Sequence, residues 1–111
     1  MAVGDVTPKR LAQVALSTTA TARYTCPAST IAQITEIWLA NTNTTTVRKV
    51  SLYAHGTATT NTLIHEIEIP AKGTVIIDNA KIVLTASQVL AAKQDVGTDV
   101  ILTAYGIEEA V

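Results

Sequence analysis

Residues 31–55 read IAQITEIWLANTNTTTVRKVSLYAH, an apolar run, a polar break and a second apolar run. Ile31 to Asn41 carries apolar side chains on both faces, Ile37 and Leu39 on one and Ile34 and Trp38 on the other. That pattern belongs to a central strand, or to one bent by a bulge. Asn41 to Thr46 is a turn of small polar residues. From Val47 to His55 the alternation resumes, with Val50, Leu52 and Ala54 opposed to Ser51, Tyr53 and His55.

The same rhythm extends in both directions at intervals of roughly 10–12 residues, the spacing of an all-β sandwich or barrel. Arg10 to Leu16 and Ala22 to Cys26 precede the decisive stretch, and Pro27 stops the second because it has no N–H for a ladder. Gly56 to Asn61 is a further polar loop. Leu63 to Ile69 then alternates up to the turn Pro70-Ala71-Lys72-Gly73. Thr74 to Ile77 and Lys81 to Leu84 are two pieces around Asp78-Asn79, where a hairpin corner would fit. Val89 to Lys93 reads as a strand, although Ala86 to Lys93 holds enough Ala, Gln, Leu and Lys to form helical turns instead. Val100 to Ile107 closes the fold. The expected architecture is an antiparallel two-sheet β-sandwich of about eight strands, jelly-roll-like, over residues 10–111, with residues 1–9 as a flexible N-terminal arm.

Composition supports strands. Of 111 residues, 19 are Thr, and with Val and Ile they make the chain strongly β-branched. Phe is absent and aromatics are 4 %, so the core is aliphatic. The net charge is −1 and Lys and Arg form no cluster, which argues against a nucleic-acid surface. No apolar run is long enough for a membrane span, and the first residues do not read as a signal peptide. A lone Cys26 makes no internal disulfide and fits synthesis in a reducing cytoplasm.

Reactive chemistry is hard to find. His55 and His65 fall on neighbouring expected strands, but a zinc site wants three or four ligands with local pairing, and solvated histidines are the better account. Glu66 and Glu68, two apart on one strand, share a face. A glycosidase needs opposed carboxylates across a groove, so solvation of that face explains them better. Cys26 reads as a small buried hydrophobe, and Asp78 and Asp95 as turn formers. The glycines are scattered and make no phosphate loop. No catalytic, metal or cofactor residue is assigned, and the chain is expected not to be an enzyme. Trp38, on the outer face of a central strand, and Tyr53 are the candidate subunit-interface residues, because aromatics concentrate at interfaces. Trp38 with Tyr24, Tyr53 and Tyr105 as an exposed strip could stack on sugar rings, but core or subunit-interface positions are the better account of them. The loops Asn41 to Thr46 and Gly56 to Asn61 are candidate partner contacts.

Two stretches carry a family pattern. One is Ala22-Arg23-Tyr24-Thr25-Cys26-Pro27-Ala28-Ser29-Thr30, leading into Ile31 to Thr42. The other is Glu66-Ile67-Glu68-Ile69-Pro70-Ala71-Lys72-Gly73-Thr74-Val75, continuing from Ile82 to Ala92. With the ending Tyr105-Gly106-Ile107-Glu108 they resemble small bacteriophage virion structural proteins, over nearly the whole chain from Ala22 onward. Ser87-Gln88 departs from the Gly-Asp usual there, which puts the turn in doubt. The resemblance implies a virion component made in the bacterial host: a jelly roll decorating the capsid, or one associated with a tail or fibre. It implies a homo-oligomer, often a trimer, contacting the major capsid protein or tail proteins. It brings no catalytic or binding residues with it.

Overall fold

The structure is a computed structural model and describes residues 2–111. It is all-β. Among the described residues the strands are β1 (Val6–Ala15), β2 (Thr21–Thr25), β3 (Thr30–Asn41), β4 (Arg48–Ala54), β5 (Thr62–Ile69), β6 (Thr74–Ile77), β7 (Ile82–Leu84), β8 (Val89–Gln94) and β9 (Val100–Ala110), with one 3₁₀ turn at Thr59–Asn61. They form two antiparallel sheets. Sheet A has the order β1-β9-β3-β6, with β7 also pairing β3, and sheet B has the order β2-β8-β4-β5.

This order follows from one long hairpin. β1 pairs β9, β2 pairs β8, β3 pairs β6 and β7, and β4 pairs β5. Rolling that hairpin sets the first pair beside the third through β9 and β3, and the second beside the fourth through β8 and β4. The result is the jelly-roll wrap. β6 and β7 both run antiparallel to β3, at Leu39↔Val75 and Gln33↔Val83, so they are two halves of one broken strand. Asp78 to Lys81 is a jog in that strand, tied by Ala80 N–H to Thr35 O, and not the hairpin corner expected there.

The core lies between the sheets and is aliphatic. Ile34, Ile37, Leu39, Ile69, Leu84, Leu90 and Leu102 are completely enclosed, and each contributes about 1.5–3 kcal/mol by leaving water. Ile34 was expected on the opposite face from Ile37 and Leu39. A bulge between Ile34 and Glu36 slips the alternation by one residue, so all three point inward while Trp38 stays outside. At this bulge β9 comes so close that Gly106 faces the Gln33 carbonyl with no room for a Cβ.

One other expectation is corrected, and the alternative left open at Ala86 to Lys93 falls to the strand. The N-terminal arm is not loose: Val6 to Arg10 pair with Glu109 to Tyr105, and Gly4 N–H donates to Ala110 O. Backbone bonds hold this strand although its side chains are all exposed, which is why the apolar pattern concealed it. Met1, also part of that expected arm, lies outside the described residues. Ala86 to Gln88 forms a turn and Val89–Gln94 a strand, because pairing with both β2 and β4 outweighs the local helix propensity.

Polar contacts fasten the structure in two places. At one end Asp99 accepts from Arg48 Nε (2.9 Å) and Nη2 (3.1 Å), from Asn43 Nδ2 (3.0 Å) and from Gln94 Nε2 (2.8 Å). This latch joins the β3–β4 loop to the β8–β9 loop. Chiefly Arg48, helped by Asn43 and Gln94 and opposed by burial, holds the Asp99 carboxyl well below the usual carboxylate range. Nearer the other end the buried Glu108 bridges the sheets, accepting from Tyr24 Oη (2.5 Å) and Lys9 Nζ (3.0 Å). Burial alone would raise the Glu108 pKa, but the Tyr24 and Lys9 contacts outweigh it and the net shift is downward.

Candidate interaction surface

The two outer faces of the sandwich differ. In antiparallel ladders directly opposed residues share a face, so the register of sheet A places its outward side chains in rows. One row is Ala15–Ile101–Ala40–Thr74, the next Gln13–Thr103–Trp38–Ile76, and the next Arg10–Tyr105–Glu36. A fourth is Pro8–Ile107–Gln33–Val83. Trp38, Ile76, Val83 and Tyr105 are 39–48 % exposed on this face. Large apolar side chains in such a group, with Arg10 and Glu36 in the row of Tyr105, are unusual on the surface of a single chain.

The centre of the face is a shallow hollow of ≈ 280 Å³ lined by Gln13, Trp38, Ala40, Thr74, Ile101, Thr103 and Tyr105. Thr103 is its floor, only 9 % exposed, and its Oγ1 accepts from Gln13 Nε2 at 3.4 Å. The small Ala40 and Thr74 leave the space, and the two aromatic rings wall it. Trp38 Nε1 donates to Glu36 Oε1, which fixes the indole on the sheet surface. Arg10 Nη1 donates to Gln13 Oε1 at 2.9 Å, fixing the guanidinium on the opposite rim.

Sheet B presents the reverse character. Lys49, Glu66 and Lys93 surround a polar hollow of ≈ 170 Å³ with Thr18, Ser51, Gln94 and Asp95. Its basic and acidic groups alternate, so neither sign dominates. His65 and Glu68 are exposed on β5.

The residues singled out from the sequence thus separate. Trp38 stands on the exposed apolar face. Tyr53, the other expected interface residue, is 6 % exposed and buried within the chain, so it offers a partner almost no surface. Glu66 and Glu68 are both exposed, with no opposing carboxylate among the residues lining the nearby hollow. His65 lies 4.0 Å from Glu66, and among the described residues no three His, Cys, Asp or Glu side chains gather as metal ligands. Cys26 is buried and its Sγ donates to Thr30 O at 3.3 Å, and burial pushes its thiol pKa up. The loops 42–47 and 55–61 flank β4 at its two ends, so they lie at opposite ends of the sandwich.

Of the tyrosines weighed with Trp38, Tyr105 shares its face while Tyr24 and Tyr53 are buried, and sequence reading missed Ile76 and Ile101 as companions. Their proximity depends on which distant strands pair. No helix of the described residues is long and apolar enough to cross a membrane. A scan against protein-family models found no match, and a search of curated proteins found none either.

Proposed function

We propose that this chain is a non-enzymatic structural protein of a bacteriophage particle, a capsid decoration (cement) protein that works as a homo-oligomer on the shell. The observation that carries the reading is the apolar outer face of sheet A, set against the charged outer face of sheet B. A surface of this kind favours burial against protein, because it has few charges to strip of water. The jelly-roll wrap and the resemblance of the Ala22–Thr42 and Glu66–Ala92 stretches to virion proteins support the same role. The latch around Asp99 and the Glu108 bridge stiffen both ends of a domain that has no disulfide, as a load on a shell would require.

Immunogold electron microscopy of particles from the phage or prophage that encodes the chain tests this. Label distributed over the head is expected. Label confined to the tail or its tip would replace decoration by a tail- or fibre-associated role, and unlabelled particles would overturn the virion reading.

A second reading rests on the two rings that wall the sheet A hollow. Trp38 and Tyr105 beside Gln13, Thr74 and Thr103 would suit a sugar, which stacks on aromatic faces and hydrogen-bonds at its rim. Trp38 is the only tryptophan of the chain, so its fluorescence reports directly on that hollow. Emission unchanged across a panel of bacterial-surface oligosaccharides would end the carbohydrate reading.

A further inference from the structure

We infer that the outer face of sheet A is a self-association surface, and that its occupant is a second copy of this chain related by a two-fold axis running along β9. The inference deepens the homo-oligomeric part of the reading above, and it rests on the register of three strands. Arg10, Tyr105 and Glu36 stand in one row on β1, β9 and β3. A two-fold along β9 turns the face onto itself and exchanges the strands on either side. Arg10 of each copy then stands over Glu36 of the other, so the pair of opposite charges forms twice. A self-complementary patch is the requirement of an isologous contact.

The neighbouring rows fit the same operation. Gln13 of one copy covers the indole of Trp38 in the other, and Ala15 meets Ala40, whose small side chains let the sheets approach. Thr103 and Tyr105 lie on the axis and meet their own counterparts. With the axis along β9 the two copies of β9 run parallel, so the whole length of that strand lies at the contact. Glu109, two residues beyond Ile107 on the same face of β9, also meets its counterpart there, and that like-charge pair weakens the contact.

The area is modest. Only β1, β9 and β3 of one copy lie over β3, β9 and β1 of the other, because the two-fold carries β6 and β7 past the β1 edge. Three strands about 4.8 Å apart, over about seven residues each, give a patch of roughly 14 by 23 Å, on the order of 330 Å² in projection per copy. That is at the low end of specific interfaces, so the dissociation constant is expected in the range of about 1–100 µM. Because the contact is two-fold, it cannot also be the contact of a simple three-fold ring.

Sedimentation velocity on the whole chain from about 1 µM to about 1 mM tests the inference, since that range brackets the expected association. The wild type is expected to pass from monomer to dimer. Arg10→Glu and Glu36→Arg each replace two attractive contacts by two repulsive ones, and each is expected to weaken the dimer about tenfold to a hundredfold. The double variant R10E/E36R restores the opposite-charge pairs and is expected to return to within about threefold of the wild type. Trp38 emission gives a second measurement that needs no variant: it should move to the blue as concentration rises and the indole is covered. A chain monomeric throughout, a trimer, a dimer indifferent to both reversals, or a double variant as weak as the singles would each overturn the inference. These measurements are made in solution, so their failure is separate from the absence of the chain on particles.

Discussion

Gly106→Ala is the sharpest mechanical test of the fold. Gly106 on β9 stands opposite Ile34, beside the bulge in β3. A Cβ built on it would lie 2.1 Å from the Gln33 carbonyl oxygen and 2.9 Å from Leu11 Cδ1. The leucine can turn away, but the carbonyl belongs to a central strand. Relief requires β9 to move by about 1 Å or more, and β9 is paired on both sides, so the strain reaches the β1 ladder as well. Overpacking costs about 1–3 kcal/mol, and an obstructing backbone puts this case at about 3 kcal/mol. For a domain of this length that lowers the melting temperature by roughly 10–15 °C. Gly56→Ala is the matched control, because its Cβ would meet only the Asn61 side-chain amide, nearest its Oδ1 at 2.6 Å, which can rotate aside at the cost of the hydrogen bond it accepts from Ala58 N–H. Thermal melts followed by circular dichroism should show Gly56→Ala within about 4 °C of the wild type, a shift of about 1 kcal/mol or less. If Gly106→Ala melts no lower than Gly56→Ala, the close approach of β9 to β3 is wrong.

Two further outcomes follow from the buried groups. Ile37→Asp places a carboxylate without a partner at a fully enclosed position, which costs several kcal/mol out of a typical total of about 5–15. The variant should show no cooperative melt, and a soluble, cooperatively melting Ile37→Asp protein would refute the placement of that face. Acid stability should depend on Asp99, whose folded pKa lies below its free value of 3.8. A depressed carboxylate stabilises the fold fully above its unfolded pKa and loses that contribution as pH falls through the folded value. Asp99→Asn should therefore melt lower at neutral pH but show a shallower fall in melting temperature below pH about 4, with Glu108 supplying the slope that remains. An unchanged acid slope would show that the Asp99 latch carries no such linkage.

What could be read from the sequence was whatever a strand writes into its own alternation. Val50, Leu52 and Leu102 show their inward face by period two, and Trp38 shows its outward one. Three things could not be read. The slip at the Ile34–Glu36 bulge is invisible because Ile34 and Ile37 are apolar under either phase. The strand Val6–Arg10 is held by backbone bonds to residues about a hundred positions away, with no buried side chain to signal it. Tyr53 alternates with core residues as an outer residue should, and its burial arises from the folded surroundings. The candidate surface was legible only at Trp38. Tyr105, Ile101 and Ile76 reach it through the pairing of β3 with β9 and β6, and glutamate and arginine acquire their opposed places from the same register.

The place of β9 in sheet A also sets when the surface can exist. β9 follows every other strand in the chain, yet it lies between β1 and β3. A ribosome releases the chain in order, so β1 and β3 emerge long before the strand that must come between them. Until residues 100–110 appear, sheet A has a gap at its middle, with unpaired N–H and C=O groups on both margins. Closing that gap is a step of high contact order, and such steps are slow. The hollow and its two aromatic walls are therefore assembled last, and a nascent chain does not display the apolar face. Under the self-association proposed above, chains stalled before β9 would lack the contact surface, and pairing would wait for the last strand.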